Sequence, residues 1–334
     1  MHPVVSFLVP FYNPGPALFD CIESILTQDG PEFELILVDN GSDDGCYEAV
    51  SEKYRIHHRI RLAHEPTKGI SFALNTGLKY CTGTYIARMD ADDICLPGRM
   101  AMQSQLLDAH PEIGLVSGLV RYGGEEINEG MMFYVDTINR LVDSEAIRKN
   151  MFVESPFAHP SVMFRKSLIE MYGQYSTEQV PEDYELWLRW KEQGIVMEKI
   201  NQEVIVWNDQ PNRLSRTHEN YSRSAFENTR VKYLVRWLRQ HVRPDKPIFI
   251  WGGGKFSKRK ASLLEEQGIR IHGFIDVDEN RTSDTKPIIH YSKIPPPDSI
   301  FILSSVSNRG KFEEIRSFLC SKGHKEEVDF LISS

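Results

Sequence analysis

The first 120 residues alternate between short apolar runs and helical patterns, and this alternation restricts the fold more than any other feature. The predicted strands cover residues 4–11, 33–38, 60–63 and 85–89, and the predicted helices between them cover residues 17–28 and 70–80. Strands separated by helices form a mostly parallel sheet that helices cover on both faces. The fold class is therefore α/β, and ligands are expected beyond the carboxyl ends of the strands.

A second alternation begins after the proline-containing segment 243–247. The later predicted elements are helices 183–192 and 219–241, strand 248–251, helix 255–267, strands 271–276 and 299–303, helix 311–321 and strand 328–332. We therefore predict a large domain over residues 1–240, which ends in the long helix, and a small Rossmann-like α/β domain over residues 246–334.

Composition argues against several classes of protein. The 39 Lys and Arg residues against 47 Asp and Glu residues give a net charge of −8, so a nucleic-acid partner is not expected. No apolar run reaches the roughly 20 residues that span a bilayer, and the amino terminus lacks the pattern of a signal peptide. The five cysteines form no Cys-x-x-Cys pair, so neither a zinc site nor a disulfide framework is expected. We expect a cytoplasmic protein without a transmembrane segment.

An acidic cluster, Asp90, Asp92 and Asp93, directly follows the predicted strand 85–89. Asp is common in turns and as a helix cap, which is the alternative interpretation of the cluster. At the end of a strand in an α/β sheet, however, carboxylates are placed where a ligand binds. Carboxylates and phosphate oxygens are the ligands that Mg²⁺ and Mn²⁺ prefer, so the cluster predicts a divalent cation that binds a diphosphate.

Several further segments share an order and spacing with this cluster. They are Val9-Pro10-Phe11-Tyr12-Asn13-Pro14, Val38-Asp39-Asn40-Gly41-Ser42-Asp43-Asp44-Gly45, Lys68-Gly69-Ile70-Ser71-Phe72-Ala73-Leu74-Asn75-Thr76-Gly77, His159-Pro160-Ser161-Val162-Met163-Phe164-Arg165 and Glu182-Asp183-Tyr184-Glu185-Leu186-Trp187-Leu188-Arg189. Together the set resembles family 2 glycosyltransferases over roughly the first 220 residues. The resemblance implies a GT-A fold, a nucleotide-diphospho-sugar donor, Mn²⁺ or Mg²⁺, and transfer with inversion at the anomeric carbon.

The resemblance also implies roles for residues at the donor site. Pro10, Tyr12 and Asp39 match the positions that hold the nucleoside, with Tyr12 stacking on the base and Asp39 accepting from its polar edge. Asp90 and Asp92 match the D-x-D metal motif, with Asp92 as the direct ligand and Asp90 towards the ribose or the donor sugar. Core packing of Tyr12 and turn capping by Asp39 are the alternatives.

Three other positions complete the expected donor site or depart from the family pattern. Lys68 and Asn75 flank a helix start and are assigned to donor binding, although Lys68 also fits a solvated loop. Leu74 stands where the family commonly has Arg, so the charge at that position is missing. Asp93 is expected to cap a helix that starts near Pro97.

The candidate catalytic pair is Glu182 and Asp183. Inverting transfer needs a base on the acceptor side, and the resemblance assigns this role to Asp183 with Glu182 beside it. The alternative is an acidic pair that is stabilised at a helix amino terminus by the helix dipole.

The segment from Trp207 to Arg216 resembles the stretch that closes over the donor in a subset of these enzymes, with Asn208 in place of an Arg. Arg213 and Arg216 are assigned to the diphosphate or the acceptor, with exposed loop cations as the alternative. His159 and His218 are tempting as ligands, but a lone histidine is more often structural.

The glycine run after the predicted strand 248–251 is a weak dinucleotide-binding motif. Gly252, Gly254 and Asp276 are candidate nucleotide-binding residues, but Ser257 stands where the third glycine of the motif normally lies. We read this domain as an appendage that binds a nucleotide or a partner, or that only packs.

The sequence therefore favours a glycosyltransferase that acts on a glycan or a lipid-linked acceptor in bacterial surface polysaccharide synthesis. A sugar nucleotidyltransferase is an alternative, but residues 12–15 lack the basic triphosphate-binding loop of that class. A non-catalytic nucleotide-sugar or dinucleotide-binding regulator is the second alternative. Peripheral contact with the inner face of the membrane and the oligomeric state are left open.

Overall fold

The computed structural model describes residues 3–124, 128–210, 213–283, 286–306 and 310–333. Its internal contacts divide the chain into two units. The first comprises Met1–Arg148 and Pro156–Ser222, and the second comprises Lys149–Ser155 and Arg223–Ser334.

A large sheet forms the centre of the first unit. Within the described residues its strands are β1 (Val5–Phe11), β2 (Phe33–Asp39), β3 (Ile60–His64), β4 (Tyr85–Arg88), β5 (Ile94–Cys95), β6 (Ile113–Gly123), β7 (Met163–Arg165) and β8 (Val196–Asn208). The order across the sheet is β3-β2-β1-β4-β7-β6-β8-β5. β7 is antiparallel to both of its neighbours and β5 is antiparallel to β8, whereas the other adjacent strands are parallel. The predicted mostly parallel sheet is confirmed.

Helices flank this sheet, and all of them except the short helix Leu214–Thr217 contribute buried apolar residues. They are α1 (Ala17–Leu26), α2 (Cys46–Lys53), α3 (Ile70–Tyr80), α4 (Arg99–Ala109), α5 (Glu129–Asn139), α6 (Ser144–Asn150), α7 (Ser167–Tyr172), α8 (Glu182–Glu192) and α9 (Leu214–Thr217). In α1, for example, Leu18, Ile22 and Ile25 recur at helical spacing and are fully buried in the core. Apolar periodicity therefore located α1 and α3 to within two residues at each end, whereas α2 was not predicted.

The long strands β6 and β8 were not anticipated from the sequence. Their pairing requires glycine, because a Cβ atom on Gly118 of β6 would lie 2.3 Å from a methyl carbon of Val204 on β8. Glycines and register shifts interrupt the apolar pattern of β6, so periodicity gives a weak strand signal there.

The second unit contains a smaller sheet. Within the described residues it consists of β9 (Ile248–Trp251), β10 (Ile271–Asp276), β11 (Ile288–His290), β12 (Phe301–Ser304) and β13 (Phe330–Ile332), in the order β11-β10-β9-β12-β13. All neighbouring strands are parallel. The helices of this unit are α10 (Arg223–His241), α11 (Lys255–Glu266) and α12 (Lys311–Ser321). The predicted small Rossmann-like arrangement is present.

The long helix α10 differs from its prediction in its start and its grouping. It begins at Arg223 rather than at residue 219, because Glu219–Tyr221 forms a separate 3-10 turn. It groups with the second unit rather than ending the first, since the Trp237 ring contacts Phe301 and Phe152, with ring centroids 6.0 and 6.5 Å apart. Among the described residues, neither α10 nor any other helix is long and apolar enough to cross a membrane.

Candidate active site

The carboxyl ends of adjacent strands bring the predicted donor residues together. Phe11 at the end of β1 pairs with Asp39 at the end of β2, and Asp39 pairs with His64 at the end of β3. β4, the other neighbour of β1, ends at Arg88 just before the acidic cluster. The order of the strands thus lines up Tyr12, Asp39 and the acidic cluster along one edge of the sheet.

Pro10 marks the point where β1 and β4 separate. The amide of Met89 donates to the carbonyl of Leu8, and the pairing between these strands ends there. Because backbone groups alternate sides along a strand, the nitrogen of Pro10 faces the side from which β4 has departed. A residue without an amide hydrogen is tolerated at that position. Pro10 is buried within the strand.

Tyr12 and Lys68 form one side of the edge. The Tyr12 ring is 55% exposed, which contradicts simple core packing. The Lys68 ammonium lies 3.7 Å from the ring centroid and donates to the carbonyl oxygen of Gly41 over 2.6 Å. One face of the tyrosine is therefore covered by a cation, so a nucleoside base that stacks on Tyr12 must use the opposite face.

Asp39 is buried and strongly hydrogen-bonded. Its Oδ1 accepts from the amide of Ser42 over 2.9 Å, and its Oδ2 accepts from the amide of Gly41 over 3.0 Å and contacts Nδ1 of His64 at 2.8 Å. Burial by itself raises the pKa of Asp39, but the hydrogen bonds from Ser42, His64 and Gly41 outweigh it and lower the pKa. Asp39 therefore both caps its turn and stays ionised. The sequence motifs do not identify His64, because its part in the site depends on its contact with Asp39 on the neighbouring strand.

Asp90, Asp92 and Asp93 converge in one cluster. One carboxylate oxygen from each lies within 4.8 Å of the others. Burial, followed by the charge of Asp90, raises the pKa of Asp92 to about 6, and burial with both neighbouring carboxylates raises the pKa of Asp93 well above its usual range. Three crowded carboxylates repel one another unless a cation neutralises them.

Asp93 does not cap a helix, which corrects the sequence prediction. α4 begins at Arg99 and its N-cap residue is Gly98. Asp93 instead accepts from the backbone amide of Asn208 over 2.8 Å, and its buried Oδ2 has no hydrogen-bond partner in the described part of the chain. A buried carboxylate oxygen without a donor, beside two more carboxylates, fits the oxygen-only ligand set of Mg²⁺ or Mn²⁺.

Arg88 is a buried cation within this site, and the sequence motifs assigned it no role. It ends β4, is 2% exposed and forms an ion pair with Asp90. Its charge also lowers the pKa values of Glu182 and Asp183. The signal that could have revealed it is a charged residue inside an otherwise apolar strand, since such a residue needs a buried partner.

Asn208 and Arg213, which come more than 100 residues after the acidic cluster in the chain, both interact with it. The side-chain amide of Asn208 donates to the carbonyl oxygen of Asp92 over 2.6 Å. The guanidinium of Arg213 lies 4.3 Å from the Trp207 ring centroid, and its charge lowers the pKa of Asp92. Arg213 is therefore placed beside the acidic cluster, as a residue that binds a diphosphate would be.

Arg216 lies in a different setting from Arg213. Its Nη2 forms an ion pair with Oδ1 of Asp209, and its Nη1 donates to the carbonyl oxygen of Gln210 over 2.7 Å. Asp209 is 4% exposed, so the pair is shielded on that side. The structure therefore gives Arg216 a role in holding its own loop.

Asn75 also differs from its predicted role. Its Nδ2 donates to the carbonyl oxygen of Tyr175 over 2.9 Å, and its Oδ1 accepts from the amide of Tyr175 over 3.1 Å. The side chain is buried, and both of its polar atoms are committed to that backbone. Asn75 thus anchors Tyr175 rather than presenting its amide to a donor sugar.

Glu182 and Asp183 begin α8, as the sequence indicates. Glu182 is 2% exposed, whereas Asp183 is half-buried and is the one that an acceptor can reach. Burial raises the pKa of Asp183 to about 6, and burial with the charge of Asp183 raises the pKa of Glu182 to about 8. Near neutral pH the pair therefore holds one proton on Glu182, and Asp183 is ionised.

His159 and His218 have structural roles, as expected. His159 is buried, its Nε2 contacts the Tyr175 hydroxyl at 2.9 Å, and burial lowers its pKa well below the usual value. His218 accepts from the amide of Asn220 over 3.2 Å and caps the turn that follows it.

In the second unit, the carboxylate of Asp276 is hydrogen-bonded to the glycine turn. Its Oδ2 accepts from the amide of Gly253 over 2.7 Å, and its Oδ1 accepts from the amide of Asp278 over 3.0 Å. Gly252 has a positive φ of 109°, which a side chain rarely adopts. Gly252, Gly254 and Asp276 are thus close together, and nucleotide binding by them stays a prediction.

Residues 6–173 match the family model described as glycosyl transferase family 2. The chain belongs to this family. Of the three functions that the sequence left open, the family assignment supports the glycosyltransferase over a sugar nucleotidyltransferase or a non-catalytic binding protein.

Related proteins and a solved structure agree with this assignment. The amylovoran biosynthesis glycosyltransferase AmsE of Erwinia amylovora is 33% identical over 187 residues, which cover 55% of this chain and 68% of that protein. The O-antigen biosynthesis glycosyltransferase WbnJ of Escherichia coli is 33% identical over 173 residues, which cover 50% of this chain and 64% of that protein.

The mannosyltransferase PcManGT of Pyrobaculum calidifontis, in complex with GDP-Man and Mn²⁺, superposes with a TM-score of 0.52 and 22% identity. The match covers 80% of this chain and 69% of that chain. At this identity the likeness shows the fold, so the glycosyltransferase has the GT-A fold.

Replacing Asn75 by Ala tests whether this side chain holds the backbone of Tyr175 or binds the donor. We expect the free energy of unfolding to fall by about 2–4 kcal/mol, because the buried amide and carbonyl of Tyr175 lose their partners. The Michaelis constant for the donor should not change. Chemical denaturation and donor titrations measure the two quantities.

Asn139→Ala is the matched control, because Asn139 clamps the backbone of Val120 with the same two hydrogen bonds, at 2.8 and 2.9 Å. A comparable loss of stability is expected there. An Asn75→Ala variant with wild-type stability and a raised Michaelis constant for the donor would show that Asn75 binds the donor.

Proposed function

We propose that this glycosyltransferase moves a sugar from a nucleotide-diphospho-sugar to a hydroxyl of a glycan or lipid-linked acceptor, with inversion at the anomeric carbon. The observation that carries the proposal is that two separate sets of carboxylates, the acidic cluster and the Glu182–Asp183 pair, interact with Arg88. Arg88 forms an ion pair with Asp90 of the acidic cluster, and its charge also favours the ionised form of the accessible Asp183.

On the donor side, Tyr12 and Asp39 would hold the base, and Arg213 would approach the diphosphate. Mn²⁺ or Mg²⁺, held by Asp90, Asp92 and Asp93, would neutralise the charge that develops on the departing nucleoside diphosphate. Asn208 keeps the carbonyl of Asp92 in place, so the carboxylates of the cluster are oriented before any donor arrives.

On the acceptor side, Asp183 takes the proton. As the acceptor hydroxyl oxygen bonds to the anomeric carbon, the bond between that carbon and the diphosphate oxygen breaks, and the hydroxyl proton passes to the Asp183 carboxylate. Attack from the face opposite the leaving group inverts the configuration. A carboxylate with a pKa near 6 is ionised at neutral pH and still basic enough for this task.

The biological setting follows from the relatives. Since glycosyltransferases of amylovoran and O-antigen biosynthesis are about one-third identical to this chain, we place it in the synthesis of a bacterial surface polysaccharide. We expect it to act in the cytoplasm, at the inner face of the membrane when its acceptor is lipid-linked.

Asp183→Asn tests the base. We expect transfer to fall by about 100-fold or more, because an amide cannot accept the proton, while nucleotide affinity is retained. Release of free nucleotide from UDP-, GDP- and dTDP-sugars with Mn²⁺ measures transfer, and competition with the free nucleotide measures affinity. For the wild type, kcat/KM should decrease as the pH falls through about 6, because the raised pKa of Asp183 leaves the base protonated below that value.

Asp108→Asn is a control outside the acidic cluster, since its carboxylate accepts a hydrogen bond from Tyr85. Wild-type transfer by Asp183→Asn would remove Asp183 from the base role.

Asp92→Asn tests the metal proposal. We expect Mn²⁺ affinity, measured by electron paramagnetic resonance of the free ion, to fall at least about 10-fold, since one charged ligand of three is lost. Excess chelator should abolish transfer by the wild type. Asp29→Asn, an exposed residue in a loop, should bind Mn²⁺ like the wild type. Undiminished transfer in excess chelator would contradict a metal requirement.

A further inference from the structure

Tyr221 contacts the catalytic pair from a part of the chain that no motif marks. It ends the 3-10 turn Glu219–Tyr221, and its hydroxyl donates to Oε2 of Glu182 over 2.6 Å. Burial and the charge of Glu182 raise the pKa of Tyr221 well above its usual value, so the phenol keeps its proton and remains a donor.

The other carboxylate oxygen of Glu182 faces a second buried group. Nδ1 of His159 lies 3.7 Å from Oε1 of Glu182, and Nε2 of the same ring contacts the Tyr175 hydroxyl at 2.9 Å. Glu182 is therefore located between the phenol of Tyr221 and the ring of His159. The remaining charged groups near it are Asp183 on its own helix and Arg88 at the end of β4.

The start of α8 depends on such contacts. Its N-cap residue is Pro181, which has no side-chain hydrogen bond to donate or accept. Glu182 and Asp183 are the first two residues of the helix, so a bond that fixes Glu182 also fixes the backbone that carries Asp183. The hydrogen bond from Tyr221 joins this first turn to a segment 39 residues further along the chain.

We propose that Tyr221 is a positioning residue for the catalytic base: its hydroxyl holds Glu182, and through Glu182 the first turn of α8, so that Asp183 faces the acceptor. The inference rests on the proposed function, in which Asp183 accepts the proton. Tyr221 itself touches neither donor nor acceptor in this scheme. Its loss should therefore slow the chemical step and leave donor binding intact.

Tyr221→Phe removes the hydroxyl alone. With the donor from which the wild type releases nucleotide, in a panel of UDP-, GDP- and dTDP-sugars, we expect kcat to fall about 10-fold, as for the loss of one buried hydrogen bond. The Michaelis constant for the donor should stay at the wild-type value.

A second readout needs no donor. The infrared band of the protonated Glu182 carboxyl, assigned by its absence in Glu182→Gln, reports the titration of this group. Since the hydrogen bond from Tyr221 favours the ionised form, the midpoint in Tyr221→Phe should move to higher pH.

Tyr54→Phe is the matched control. The Tyr54 hydroxyl donates to Oε1 of Glu23 over 2.8 Å, so the variant loses the same kind of tyrosine–glutamate bond outside the site. Wild-type kcat and a wild-type Glu182 titration are expected for it.

Glu182 variants provide a test that does not depend on the folding of Tyr221→Phe. The carbonyl oxygen of Gln in Glu182→Gln can still accept from Tyr221, whereas Glu182→Ala cannot, so the Gln variant should retain more transfer. Equal kcat values for these two variants would overturn the proposal, as would wild-type kcat and an unshifted titration in Tyr221→Phe. A wild type that releases nucleotide from no donor in the panel would instead contradict the proposed function.

Discussion

The buried guanidinium of Arg88 is the charge around which the site is arranged. A cation that is 2% exposed must be paired, and its ion-pair partner Asp90 belongs to the acidic cluster. The same charge favours the ionised forms of Glu182 and Asp183. One side chain at the end of β4 therefore offsets part of the repulsion within both groups of carboxylates.

The sheet explains how these groups meet. β4 lies beside β1 in a parallel register, so the donor residues at the ends of β1 and β2 and the acidic cluster after β4 share one edge. The acceptor-side pair comes from α8, about 90 residues after the acidic cluster in the chain. Two tyrosines then connect it to the rest of the unit: the buried Tyr175 through His159, and the half-buried Tyr221 through Glu182. The placement of Asp183, the proposed base, thus depends on the tertiary structure rather than on the motif alone.

Local patterns in the sequence were enough to predict the strands β1 to β4 and the helices α1 and α3, because short buried strands and amphipathic helices each have their own periodicity. The resemblance to family 2 glycosyltransferases, rather than periodicity, nominated Tyr12, Asp39, Asp90, Asp92 and Asp183 as residues of the candidate site. Partners from distant segments decided the rest. Asn75 and Asp93 changed roles because Tyr175 and Asn208 lie 100 and 115 residues away from them in the chain. Tyr221 likewise meets Glu182 from 39 residues away in the chain, and no spacing rule encodes that pairing.

The central claim is that Asp183 activates the acceptor on the face of the sugar opposite the departing diphosphate. The anomeric configuration of the product, read by NMR from the one-bond coupling between the anomeric carbon and its proton, tests it most directly. With an α-linked nucleotide sugar as donor, the account predicts a β-linked product. An α-linked product would contradict direct displacement and the role given to Asp183.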